Sequence, residues 1–176
     1  MAQQVQQKLN DVDIEKIGAL IERYKQDPAA GKSQWNARVQ WLGGFRSEAQ
    51  VRNLPAVRSD EPNWLAGTDT GPNAVELVLS ALGSCLAVGY AANATARGIR
   101  LDSLEIALQG DVDLPVFLGL VEGNAGYNKI TAKVYVKSDA PPEQLKELTE
   151  HVFKTSPVGN TIAKSVTIAP EVVSAS

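Results

Sequence analysis

The sequence predicts an α+β domain, in which mainly antiparallel sheets pack against helices. Two observations predict it. Runs in which apolar and polar residues alternate, as in strands buried on one face, occur in neighbouring groups along the chain. Segments with helical periodicity separate these groups instead of alternating with single strands, and such segregation is typical of α+β folds. A length of 176 residues is that of one folding unit with an appendage.

The chain is predicted to start with a helical arm and linker, residues 1–33, ahead of a domain at 34–176. Asp11 or Asp13 can cap a helix, and the Asp-Pro pair at 27–28 ends it. The apolar residues of this helix recur at three- and four-residue steps: Ile14, Ile17, Leu20, Ile21 and Tyr24. The arm is therefore amphipathic and must cover apolar surface.

Two strand pairs and a closing strand are predicted in the domain. Residues 35–41 and 45–54 alternate on either side of a Gly-Gly turn, which predicts a hairpin. Residues 104–108 and 130–136 alternate in the same way. A helix begins after Pro141-Pro142, and after the Ser156-Pro157 break Val166 and Ile168 indicate a last strand.

The segment from Asn73 to about Arg97 is helical in length and apolar nearly all round, so it needs cover on more than one side. A homodimer that wraps this helix would provide that cover. Residues 74–92 approach membrane-spanning length, but they include Glu76 and lack a basic flank. We therefore expect a core helix and no membrane partner.

Composition excludes several classes of function. A net charge of -3 and a pI near 5.2 give no basic surface for nucleic acid. One cysteine allows neither an intramolecular disulfide nor a cysteine-rich metal site. No phosphate loop or metal-ligand spacing is present, so neither a cofactor nor a metal is predicted. The polar, Gln-rich start does not have the pattern of a signal peptide, and cytoplasmic location is expected.

Residues 71–85, GPNAVELVLSALGSC, are the most informative string of the chain. They resemble the P-x-E-L-L-L-A-A-L-G-S-C pattern of the OsmC/Ohr family, the osmotically inducible protein C and organic hydroperoxide resistance proteins. The resemblance extends to residues 59–62, 67–69 and 96–98, and to Ser156-Pro157-Val158 at the family's second-cysteine position. From about Trp35 to the end the chain is similar to this family.

The resemblance implies an intertwined homodimer that reduces hydrophobic organic hydroperoxides in oxidative stress defence. In the family a peroxide oxidises a cysteine to sulfenic acid, a second cysteine closes a disulfide, and a dithiol reopens it. Cys85 matches the first cysteine, and Ser156 stands at the position of the second. Since a hydroxyl cannot form a disulfide, turnover would need an external thiol.

The residues around Cys85 bear on how its thiol could be activated. On a helix, its face carries small and apolar residues: Val78, Ala81, Leu82, Val88, Gly89 and Ala92. This face offers space for a hydrophobic substrate but no charge for a thiolate, so a cation must come from elsewhere in the fold. We predict Arg46, which resembles the loop arginine of the hydroperoxide resistance branch, and Arg52 as the next candidate.

Glu76 matches the glutamate of the family pattern and is predicted to hold the arginine in place. Nine residues separate it from Cys85, which is roughly half a turn off the same helix face. It therefore reaches the thiol only if the helix breaks or a partner subunit supplies it. Its alternative role is that of a first-turn acid that complements the helix dipole.

Three functions stay open from the sequence. The first is a peroxidase-like enzyme with Cys85, Arg46 and Glu76 at its site. The second is a non-catalytic dimer that binds a hydrophobic ligand or senses redox state through Cys85. The third is a structural dimer whose N-terminal helix docks a partner.

Overall fold

Five α-helices and five strands are formed by the residues that the computed structural model describes, 8–164 and 166–173. The helices are α1 (Ile14–Gln26), α2 (Ala74–Ala96), α3 (Leu114–Phe117), α4 (Pro142–Thr155) and α5 (Pro157–Ala163). The strands are β1 (Arg38–Gly43), β2 (Arg46–Gln50), β3 (Val57–Ser59), β4 (Ser103–Gly110) and β5 (Ile130–Lys137). Both sheets, β1-β2-β3 and β4-β5, are antiparallel, which confirms the predicted α+β class.

The N-terminal helix α1 is present where its periodicity predicts it. The Asp13 side chain accepts a hydrogen bond from the backbone N–H of Lys16 at 3.2 Å and so caps the first turn. The helix ends at Asp27, directly before Pro28. The proposed division of the chain between residues 33 and 34 stays a prediction.

Asn10 fixes the arm to the rest of the chain. Its Nδ2 donates to the Thr95 hydroxyl at 3.0 Å and to the carbonyl of Ile99 at 2.9 Å, while its Oδ1 accepts from the N–H of Leu101 at 2.8 Å. Three hydrogen bonds of one side chain thus join the arm to the end of α2 and to the segment that follows it.

The predicted hairpin is formed by β1 and β2, and with β3 it makes up the three-stranded sheet, here called the outer sheet. Its turn uses Gly43 and Gly44, at φ +100° and +58°, conformations that glycine adopts without a Cβ penalty. Within the described residues this sheet contacts mainly its own strands. Val39 and Trp41 are 67% and 72% exposed, so one face of the sheet presents apolar side chains to solvent in the single chain.

The central helix α2 begins and ends with defined caps. The Asn73 side chain accepts from the N–H of Glu76 at 2.9 Å, and Glu76 Oε2 accepts from the N–H of Asn73 at 2.8 Å, which completes a capping box. At the other end Gly98, at φ +70°, lets the chain leave the helix. By length and mean hydropathy (1.7) α2 could also cross a membrane, but here it packs on β4, α4 and α5.

The hydrophobic core lies between α2, α4 and the β4-β5 pair. In β4 and β5 every second side chain is turned inward, as their alternation predicts. The buried core residues are Leu82, Leu86, Tyr90, Ala94, Ile99, Leu148 and Val152. A Cβ at Gly89 would lie 2.9 Å from Val152 Cγ1, so glycine permits the close approach of α4 to α2.

The chain after α4 departs from the prediction. The predicted closing strand at Val166 and Ile168 is wrong: these residues are in neither helix nor strand, and they are 59% and 87% exposed. A strand needs a pairing edge, and none of the described strands lies hydrogen bonded beside this segment. The break at Ser156-Pro157 instead begins α5, because proline suits the first turn of a helix.

Asp60 organises the loop that leads into α2. This buried carboxylate accepts hydrogen bonds from the backbone N–H groups of Glu61, Thr68 and Thr70 and from both threonine hydroxyls. These hydrogen bonds, that of the Thr68 hydroxyl foremost, hold the pKa of Asp60 well below its usual range. A Cβ at Gly67 would lie 1.8 Å from the carbonyl oxygen of Glu61, so only glycine fits this loop.

We expect Asp60→Asn to lower the urea midpoint of unfolding at pH 7, because an amide nitrogen cannot accept the hydrogen bonds of the second carboxylate oxygen. A depressed folded-state pKa contributes stability that is complete above about pH 4 and is lost as the pH falls through the folded-state value. Urea titrations between pH 7 and pH 2 should therefore show a smaller acid-induced loss in the variant. An identical pH dependence in both proteins would contradict this role.

Candidate functional site

Cys85 lies in the middle of α2, at the boundary between the packed and the exposed sides of the helix. On one side of Cys85, Leu82 is buried and Gly89 lies against Val152 of α4. On the other flank, Val78 and Val88 are 39% and 70% exposed. Cys85 itself is half-buried and forms no disulfide. Its thiol is therefore shielded by the protein on one side and accessible on the other.

Ser156 is the side-chain partner of this thiol. Its Oγ lies 3.2 Å from Cys85 Sγ, and the residue is buried with 4% of its surface exposed. The same oxygen accepts a hydrogen bond from the N–H of Gly159 at 3.0 Å and so caps α5. The junction of α4 and α5 thus places a capping hydroxyl directly against the thiol.

A cavity of about 390 Å³ lies beside Cys85 and Ser156, and of these two residues Ser156 contributes to its wall. Its walls come from α2, β5, α4 and α5, and they are mostly apolar: Leu82, Leu86, Ile130, Ala132, Phe153 and Ile162. Such a cavity suits an apolar group of a small molecule better than a charged one.

Glu76 lies in the first turn of α2, where it closes the capping box with Asn73. It also lines a second apolar cavity of about 380 Å³, together with Trp64 and Tyr127. Burial, and next the nearby charge of Glu76, raises the pKa of Tyr127, whose hydroxyl donates to the carbonyl of Val75 at 2.9 Å. The geometry matches the alternative of a first-turn acid, and its role towards an arginine stays a prediction.

Arg46 begins β2 in the outer sheet, and its Nε donates to the carbonyl of Gly43 at 3.3 Å. Arg52 lies in the turn after β2 with φ +51°. Within the described part of the single chain, neither arginine is hydrogen bonded to Cys85. The structure thus brings Cys85 together with Ser156, while the pairing of Cys85 with Arg46 or Arg52 stays a prediction.

Several solved structures share this fold. An OsmC-like protein from Mycoplasma pneumoniae aligns with a TM-score of 0.66 and 19% identity, over 75% of this chain and 89% of that one. The organic hydroperoxide resistance protein OsmC from Legionella pneumophila aligns with a TM-score of 0.55 and 14% identity, over 74% and 91%. The organic hydroperoxide resistance protein OhrB of Bacillus subtilis aligns with a TM-score of 0.50 and 20% identity, over 73% and 90%. The fold is therefore that of the OsmC-like class.

The family model for OsmC-like proteins matches residues 67–171, which contain α2, the β4-β5 sheet and Ser156. The chain belongs to the OsmC-like protein family, as its cysteine string indicates. No curated protein matches the chain. The helix α1 lies outside the matched residues.

Sequence reasoning identified Cys85 and the position of Ser156 through the family pattern, but it did not find the apolar cavity beside them. Phe153 and Ile162 line that cavity from α4 and α5. Ile162 lies in α5, a helix that the sequence patterns did not predict because its seven residues are too few to show helical periodicity. Phe153 could have been found as an apolar residue next to Val152 on a predicted helix.

We expect Ser156→Cys to form a disulfide with Cys85 on mild oxidation, because the present 3.2 Å separation of Sγ and Oγ needs only a small adjustment to reach the S–S bond length of about 2.05 Å. Thiol titration and non-reducing mass spectrometry would detect an intramolecular bridge. Ser84→Cys is the matched control, since its exposed side chain lies off the Cys85 face. Persistence of both thiols in oxidised Ser156→Cys would contradict the geometry.

Proposed function

We propose that this OsmC-like protein is a one-cysteine reductase of hydrophobic organic hydroperoxides, acting as a cytoplasmic homodimer in oxidative stress defence. The observation that carries the proposal is the half-buried Cys85 thiol on the central helix, 3.2 Å from the hydroxyl of Ser156. Reactive cysteines are partly exposed, whereas fully buried cysteines are inert. A lone thiol also suits the reducing cytoplasm.

The proposed reaction has two stages. The Cys85 thiolate attacks the hydroperoxide, an S–O bond forms, the O–O bond breaks, and the leaving alkoxide takes up a proton to become an alcohol. The cysteine is then a sulfenic acid. An external thiol condenses with it and releases water, and a further thiol reduces the mixed disulfide. Ser156 cannot replace the external thiol, because a hydroxyl does not form a disulfide.

The substrate class follows from the surroundings of the site. Around Cys85 the face of α2 is apolar and partly open, and the cavity beside Ser156 is lined mainly by apolar side chains. An alkyl or aryl hydroperoxide would gain from burying its apolar part there. Hydrogen peroxide has no such part, so it should react more slowly.

The single chain leaves apolar surfaces that a second copy would cover. Val88 of α2 is 70% exposed, and Trp41 and Phe45 of the outer hairpin are 72% and 58% exposed. Exposed apolar area of this kind favours association. In an intertwined dimer, Arg46 of one subunit would approach Cys85 of the other. This arrangement is compatible with the lack of a hydrogen bond between the two residues within the described single chain.

A second candidate is a redox sensor that binds a hydrophobic ligand and does not turn over. The observation that favours it is Ser156 at the second-cysteine position, since no thiol of the chain itself can remove a sulfenic acid from Cys85. In this role the oxidised cysteine would persist until an outside reductant acted. The rate of turnover with external thiols separates the two candidates.

We expect Cys85 to be oxidised rapidly by cumene hydroperoxide at pH 7, because its thiol is partly accessible to a substrate. Stopped-flow measurements with trapping of the sulfenic acid would follow the reaction, with Cys85→Ser as the blank. Sustained consumption of hydroperoxide with dithiothreitol would support the reductase over the sensor. A slow reaction that rises only in alkali would refute both redox roles and leave ligand binding.

We expect Arg46→Ala to slow this oxidation by about a hundredfold, because a preorganised charge at a developing oxyanion is worth that much. Arg58→Ala is the matched control, since Arg58 lies in the same sheet but pairs with Glu48 at 3.3 Å. Refolding a mixture of Arg46→Ala and Cys85→Ser chains should restore activity, because one site of the mixed dimer then has both residues. No restoration would mean that the arginine does not act across the interface.

A further inference from the structure

The surroundings of Ser156 provide one acceptor for its hydroxyl proton, the sulfur of Cys85. One lone pair of Oγ is engaged by the N–H of Gly159 at 3.0 Å, and the atom at 3.2 Å on the other side is Cys85 Sγ. Because Ser156 is almost fully buried, water competes little for this proton. The capping bond also fixes the orientation of the oxygen, so the hydroxyl is held against the sulfur in advance.

The direction of this bond depends on the protonation state of the cysteine. In a thiol, either the S–H or the O–H group can donate. A thiolate has no proton, so the serine must donate to it. Hydrogen bonds to a charged partner are roughly twice as strong as those between neutral groups, and the contact therefore favours the thiolate.

The elements packed around Cys85 supply little other polar stabilisation. Apart from Cys85 itself, the ionisable residues of α2 are Glu76 in the first turn and Tyr90, and α5 has none. The side chains that α4 buries towards α2, Leu148 and Val152, are apolar. One cation, Lys129, directly precedes β5 and lines the cavity beside Ser156.

We propose that Ser156 is a catalytic residue whose hydroxyl donates a hydrogen bond to the Cys85 thiolate. The inference rests on the proposed function, because it assigns to Ser156 a part in the same reaction. Serine in place of the family's second cysteine thus prevents disulfide formation, but it provides a hydrogen-bond donor to the attacking sulfur. During attack the same hydroxyl stays against the sulfur as its charge moves to the leaving oxygen.

Three variants of the full chain test the proposal: Ser156→Ala, Ser156→Gly and Ser156→Thr. The readout is the rate of Cys85 alkylation by iodoacetamide across pH, which reports the thiolate without any peroxide. Losing the donor should move the midpoint up by about one pH unit in the alanine and glycine variants. Threonine keeps a hydroxyl and should stay near the wild-type midpoint.

The variants also separate this role from capping. Glycine at an N-cap costs only a few tenths of a kcal/mol, whereas alanine costs about one. Equal midpoints in the alanine and glycine variants, despite different urea midpoints of unfolding, would support the hydrogen bond to sulfur. An unchanged midpoint in both, or shifts that follow the loss of stability, would overturn the proposal.

The outcome is distinguishable from that of the proposed function. If the wild-type protein reacts rapidly with cumene hydroperoxide and the variants show no midpoint shift, the role of Ser156 is rejected and the proposed reductase is retained. A clear shift in a protein that is slow with hydroperoxides would keep the donor role and reject the reductase.

Discussion

The packing of α2 against α4 is the contact on which the rest of the structure depends. Gly89 has no side chain, so Val152 comes close to the backbone of α2. This approach buries Leu86 and Leu148 completely and brings the hydroxyl of Tyr90 to 2.8 Å from that of Thr149. Since Ser156 follows directly at the end of α4, the same packing sets the distance between its hydroxyl and the thiol of Cys85. The packing of the core therefore also determines the geometry of the candidate site.

Local patterns were sufficient for most of the fold. The alternation in β4 and β5 and the three- to four-residue steps in α1 predict those elements because one face of each is apolar. The segment around Ile168 shows where this reasoning fails. Alternation indicates a strand only if a neighbouring edge can pair with it, and such pairing depends on distant residues. α5 was missed because its seven residues contain a single four-residue apolar step, Val158 to Ile162, which is too short to predict a helix.

The sequence predicted those site residues that can be recognised from their neighbours along the chain, and it missed those that depend on the folded structure. Cys85 and Ser156 were found from strings of residues around them, although their contact joins positions far apart in sequence. The function of Asp60 required the folded loop, because its donors are brought to it by the turn at Gly67. For Arg46 the decisive neighbours belong, on our proposal, to a second chain, so neither the sequence nor one folded copy could supply them.

The cap of α5 has a consequence for how oxidation could be transmitted. A cysteine at position 156 would have to leave the N–H of Gly159 in order to bond to Cys85, so the start of α5 would loosen whenever a disulfide formed. Serine cannot form this disulfide, so oxidation of Cys85 does not draw the Ser156 oxygen away from the N–H of Gly159. The start of α5 is therefore independent of disulfide chemistry at Cys85.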